Sequence, residues 1–223
     1  MDYQKNKKYF QPKKYSGAII LIVLGAVTFI SFLSTTAFSV SSILGLVMVA
    51  CGSAFIVMKK KDIVTDAEYD ASVASMLNNI TSKALDKLGV DEDEVKEIAP
   101  ISFGGYVYKG ASKVKEGEDG LWRTNKYESV MLFFSENEVH CYTYRFDTTS
   151  QKQTEATDVY FYKDVVSVST ASDTIQVLGQ NVDYEYFKLT TAGGTALSVS
   201  IRDVNNAQRS INAMRALLKT KKQ

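Results

Sequence analysis

One histidine and two cysteines limit the side-chain chemistry open to this 223-residue chain. His140 and Cys141 are neighbours in a stretch whose alternation reads as a strand, so their side chains point to opposite faces. They cannot share a metal ion or act as nucleophile and base. Cys51 lies in an apolar run, so no disulfide with Cys141 is expected, which suits a reducing compartment. No Gly-x-Ser-x-Gly, phosphate-loop or dinucleotide fingerprint occurs. Gly104-Gly105 and Gly193-Gly194 come nearest and read as turns or strand irregularities. The acidic run Asp91-Glu92-Asp93-Glu94 has Lys96 where a calcium loop needs glycine, and helix capping accounts for it. Trp122 beside Arg123 reads as a core aromatic near a strand start. No enzyme activity, cofactor or metal is expected.

The elements that would position any site divide sharply by charge. The 26 basic and 25 acidic residues all lie outside an uncharged block from Ser16 to Met58. As helix, those 43 residues would extend roughly 64 Å at ~1.5 Å per residue, enough for two bilayer crossings. A cleaved signal peptide fits poorly, because the run is too long and a second follows at once. Ser34, Thr35, Thr36, Ser39, Ser41 and Ser42 mark the expected turn. Gly25, Ser41, Gly45 and Gly52 would allow the two helices to approach closely. Lys5, Lys7, Lys8, Lys13 and Lys14 precede the block and Lys59, Lys60 and Lys61 close it, which places both termini on the cytoplasmic side. The remaining chain carries 18 basic and 24 acidic side chains. That balance lacks the field of a nucleic-acid binder.

Beyond the lysine triplet, Thr65-Asp66-Ala67-Glu68 is a capping box. Tyr69, Val73, Met76, Leu77, Ile80, Ala84 and Leu88 recur at helical spacing up to a stop at Gly89. A short second helix opens at Asp91 and ends near Pro100. From Ile101 the pattern becomes seven strands rich in Val, Tyr, Phe and Thr, with a hairpin at Ser135-Glu136-Asn137 and a polar, mobile loop TTSQKQTEAT. Val204, Ala207, Ile211, Met214, Leu217 and Leu218 trace one face of a last helix begun by Asp203.

Seven antiparallel strands closed by an amphipathic helix resemble the pleckstrin-homology (PH) superfold, including bacterial membrane-anchored PH-like and GRAM-like domains. LWRTNKYESVMLFFSENEVHCYTYRFD is similar to the paired middle strands of those domains, and YFYKDVVSVST to a recurrent strand. Charge and periodicity give a basic cytoplasmic N-terminus (1–15), a two-helix transmembrane hairpin (16–58) and a short helical linker (59–100), and the resemblance, over about residues 101–219, implies a PH-like seven-stranded antiparallel barrel with a C-terminal helix (101–223), an α+β chain in all. In lipid-binding PH domains the loop after the first strand supplies basic residues. By that resemblance Lys109, Lys113 and Lys115 are candidate contacts for a lipid headgroup, worth up to ~1 kcal/mol each, although Glu116, Glu118 and Asp119 offset them. The expected function is a membrane-anchored cytoplasmic interaction module that binds a protein partner or lipid at the inner face of the bilayer. The alternative is an accessory or regulatory subunit of a larger membrane enzyme or transporter, packing through its hairpin.

Overall fold

The computed structural model describes residues 1–12, 15–33, 40–61 and 63–222, which form two compact units. One unit, Gln11–Thr65, contains α2 (Ser16–Leu33) and α3 (Val40–Lys61). These helices run antiparallel and meet at glycines: a Cβ added to Gly25 would lie 2.7 Å from the Gly45 carbonyl oxygen, and one added to Gly52 would lie 2.6 Å from Ile22 Cγ1. Only glycine permits so close an approach of two backbones. The Thr28 hydroxyl donates to the Leu24 carbonyl at 2.8 Å, so that polar group is satisfied within its own helix. Ser41–Lys59 is one helix long and apolar enough to cross a membrane, and Ser16–Ser31 is apolar but shorter. The expected pair of spans is thus found in part among the described residues, as one helix of sufficient length and a second, shorter apolar helix. The expected turn residues Ser34, Thr35, Thr36 and Ser39 lie outside the described residues, whereas Ser41 and Ser42 belong to α3.

The other unit joins Met1–Phe10 to Asp66–Gln223. It contains α1 (Tyr3–Tyr9), α4 (Asp66–Ser75), α5 (Ile80–Leu88), β1 (Ile101–Tyr106), β2 (Val114–Glu116), β3 (Trp122–Thr124), β4 (Lys126–Phe134), β5 (Glu138–Asp147), β6 (Gln153–Phe161), β7 (Val165–Val177), β8 (Gln180–Thr191), β9 (Gly194–Ile201) and α6 (Val204–Lys221). The helical periodicity from Tyr69 to Leu88 is interrupted at Met76–Asn79, where the chain tightens into i to i+3 bonds such as Met76 N–H to Val73 O at 3.0 Å. Gly89 ends α5 with φ +68°, and Asp91 and Glu94 form the reciprocal capping box of a 3-10 turn. The stretch from Asp66 onward, expected as part of a linker, packs within this unit.

The strands form three antiparallel sheets, ordered β1-β4-β5-β6, β2-β3 and β7-β8-β9. Among the described residues they are nine where seven are expected, and they do not close into a barrel. The strands β2 and β3 are too brief for a periodic signal, and the expected strands DVYFYKDVVSVST and DTIQVLG are redrawn as the end of β6 and one continuous β7. The expected loop TTSQKQTEAT supplies half of β6 instead, from Gln153 to Thr157. Polar text is compatible with β6 because it is an edge strand, exposed along nearly all its length.

Val130, Leu132, Phe134, Val139 and Cys141 of the four-stranded sheet face Phe187, Leu189, Leu197 and Val199 of the three-stranded one. Phe103 and Phe187 stack across the core with centroids 4.2 Å apart. Ala207, Ile211, Met214 and Leu218 of α6 seal this core, and Asp203 caps the helix by accepting from Asn206 N–H at 3.0 Å.

Candidate ligand-binding groove

The two large sheets meet where β1 crosses β9. Arg202 N–H donates to Gly104 O at 3.1 Å, and a Cβ on Gly105 would lie 2.6 Å from Ser200 O. A side chain at residue 105 would force the strands apart. Beside this crossing the chain continues into α6 on one side, and the β2–β3 hairpin stands on the other.

A buried arginine holds that hairpin in place. Arg123 is 1% exposed, and its guanidinium uses all five donors: Nε and Nη2 donate to Asp70 at 3.0 and 2.8 Å, Nη1 and Nη2 to Asp119 at 2.8 and 2.7 Å, and Nη1 to Leu121 O at 3.0 Å. Asp70, on α4, also accepts from the Tyr106 hydroxyl at 2.7 Å and pairs with Arg202. Burial alone would raise its pKa, but bonds from Arg123, Arg202 and Tyr106 outweigh that, so the carboxyl lies below its ordinary value. Arg123, read from the sequence only as the neighbour of Trp122, is thus the tie between α4 and the hairpin, and Trp122 itself, expected in the core, is half-buried and lies outside it.

The groove so framed has a cavity of about 320 Å³ lined by Tyr108, Trp122 and Tyr184 together with Asp183, Glu185 and Arg202. The Tyr108 and Tyr184 rings lie 5.2 Å apart, tilted by 51°. Burial pushes the Tyr108 phenol up to about 12, so it stays protonated and donates to Trp122 O at 3.3 Å. A second cavity of about 610 Å³ continues past Ser102, Gly104, Asp203 and Asn206, sharing Leu121, Ile201, Arg202 and Val204 with the first.

Lys109, Lys113 and Lys115 do not line either cavity. Lys109 is exposed in the turn before Gly110. Lys113 is half-buried, with its N–H donating to Asn125 Oδ1 at 3.0 Å. Lys115 places Nζ 3.8 Å from the centroid of Tyr9 in α1, so this ammonium is engaged with an aromatic face. His140 and Cys141 alternate across β5, and Cys141 alone joins the core, where burial pushes its thiol up to about 12. Among the described residues no three His, Cys, Asp or Glu side chains are grouped to hold a metal ion.

The sequence contained the groove residues but no signal joining them. Tyr108 lies in the loop after β1 and Tyr184 in β8, and only the tertiary fold brings them together. Comparison with known protein families, curated proteins and solved structures finds no match for this chain.

Proposed function

We propose that this chain is a membrane-anchored interaction module. A helix hairpin crosses the bilayer twice, and the unit formed by Met1–Phe10 and Asp66–Gln223 works at the cytoplasmic surface, where its groove binds a protein partner. One bond carries the proposal: the Tyr9 hydroxyl donates to Asp66 Oδ1 at 2.7 Å. Residues on opposite sides of a hydrocarbon core ~30 Å thick cannot make such a bond, so the segment between them crosses an even number of times. Two crossings are favoured over none by the outer faces of α2 and α3. Ile19, Val23, Val27, Leu44, Val47 and Phe55 are each about half exposed, between 49% and 57%. Leaving such side chains in water forfeits ~25 cal/mol per Å² of apolar surface. If α3 crosses, the described helix available to return the chain is α2. Lysines flanking both outer ends orient the pair with those ends in the cytoplasm.

The PH-like assignment is part of this proposal. Its support is the order of elements: seven long antiparallel strands, β1 and β4 to β9, precede a helix that seals the core, with β2–β3 inserted between the first two. The outer faces of the hairpin equally suit an accessory subunit that packs into a larger membrane protein, and purification in mild detergent separates the cases. A stoichiometric integral partner would favour the subunit, and a soluble partner the module.

Topology is tested with single cysteines at Gln4, Thr36 and Lys222 in a chain lacking Cys51 and Cys141. An impermeant thiol reagent applied to intact cells is expected to label Thr36→Cys alone, with the other two labelled only after permeabilisation. Labelling of either terminal site on intact cells would overturn the proposed orientation.

A further inference from the structure

We propose that the free edge of β6 is a self-association site, on which β6 of a second copy of this chain adds as an antiparallel strand and joins the two four-stranded sheets. The proposal goes beyond the interaction-module assignment and uses neither the groove nor the helix hairpin.

The other edges of the two large sheets have cover. β1 and β9 meet at their crossing, and the start of β7 lies under α6, where the Arg215 and Lys222 side chains donate to Val168 O and Val165 O. β6 has β5 on one side and, among the described residues, no backbone hydrogen bond on the other. Its outward row of N–H and C=O groups is a template for another strand. The template is regular: all nine residues from Gln153 to Phe161 pair with β5 without a register shift, and none is proline. Near its end Val159 and Phe161 are 47% and 48% exposed.

Charge complementarity names the occupant. Opposite residues of an antiparallel pair share a face of the sheet. By register with β5, Ala156 and Asp158 share the face of Cys141, and Glu155, Thr157 and Val159 lie on the other. Lys83 and Lys87 of α5 already hold Glu155, at 2.7 and 3.6 Å. A two-fold axis normal to the sheet keeps each face with its like, so one residue of β6 pairs with its own copy. Centring on Glu155 or Asp158 would oppose like charges, which is destabilising. Centring on Thr157 pairs the whole strand, Gln153 with Phe161 at both ends, and sets Glu155 against Val159 and Asp158 against Ala156. Centring on Ala156 shortens the ladder and leaves exposed Phe161 without a partner. The strand is self-complementary at its midpoint, and its two carboxylates select that register.

Full-length chains lacking Cys51 and Cys141 each receive one new cysteine and are oxidised with copper phenanthroline in neutral detergent. Thr157→Cys is expected to give a covalent dimer, because residues on the axis have Cα atoms ~4.5 to 5.5 Å apart, within reach of a disulfide. Gln153→Cys alone and Phe161→Cys alone should give none, since each lies a strand length, about 26 Å at ~3.3 Å per residue, from its own copy. A mixture of those two chains should crosslink. Sedimentation equilibrium of the parent in the same detergent should show a dimer. Its dissociation constant should rise at least tenfold in Ala156→Asp, which opposes Asp158, and return to within threefold when Asp158→Lys is added, with circular dichroism unchanged. A monomeric parent, no crosslink at Thr157→Cys, or equal crosslinking at Thr157→Cys and Gln153→Cys would overturn the proposal. A dimer indifferent to Ala156→Asp would overturn it too, and would assign self-association to another surface.

Discussion

Tyr9 and Tyr69 stack face to face, with ring centroids 4.2 Å apart and planes within 5° of parallel, although the whole uncharged block separates them in sequence. Both are buried, and Tyr69 donates its hydroxyl to Thr124 O at 2.8 Å, so the stack continues into the strands. The first ten residues, expected from composition to be a basic cytoplasmic tail, are thus a structural part of the unit that holds the strands.

Tyr9→Ala is expected to destabilise that unit by about 3 kcal/mol, the low end of the range for truncating a large buried aromatic. Gln4→Ala on the same helix should change stability by less than ~0.5 kcal/mol, as exposed substitutions do. Urea unfolding of the full chain in detergent, followed by Trp122 emission, measures both. Equal midpoints for Tyr9→Ala and the parent would show that α1 is not integral.

Asp70→Asn should cost about 3 kcal/mol at neutral pH, because it leaves Arg123 buried with one charged partner fewer. It should also change the acid response. The Asp70 carboxyl lies below its ordinary value in the folded state. Its stabilisation is therefore complete above the unfolded pKa of ~3.9 and is lost as pH falls through the folded value. Unfolding midpoints measured from pH 6 down to pH 3 should fall less steeply for Asp70→Asn than for the parent. Parallel curves would remove Asp70 from the acid response.

Gly25→Leu is expected to separate α2 from α3, since even its Cβ would lie 2.7 Å from Gly45 O. Gly17→Ala is the control, because nothing lies within 4 Å of a Cβ there. Thermal inactivation in detergent should be accelerated several-fold by the first change and left unaltered or slowed by the second.

What the sequence made legible was local. Gly89, the Asp91 to Glu94 capping box, the Ser135 hairpin, the Asp203 cap and the face of α6 from Ala207 to Leu218 each rest on residues a few positions apart, and each is found where expected, whereas Val204 at the start of that face is exposed. What it hid was long-range. Asp70 and Arg123 meet across 53 positions, and Asn6 donates to Thr148 O at 2.8 Å across 142. No periodicity encodes such pairs. The first half of β6, Gln153 to Thr157, reads as loop for the opposite reason: its polar residues report an edge facing water, and local text cannot distinguish that from a loop.

The contact between Asn6 and Thr148 also bears on the order in which the protein can be made. The first helix leaves the ribosome before any of its packing surface exists, and its last partner is translated more than a hundred residues later. Tyr9 and Asn6 gain their first partners once Asp66, Tyr69 and Ser72 have been made, and their last only with Thr148. The first ten residues must therefore stay available through the synthesis of everything between, and the two ends of the chain complete one unit only late in translation.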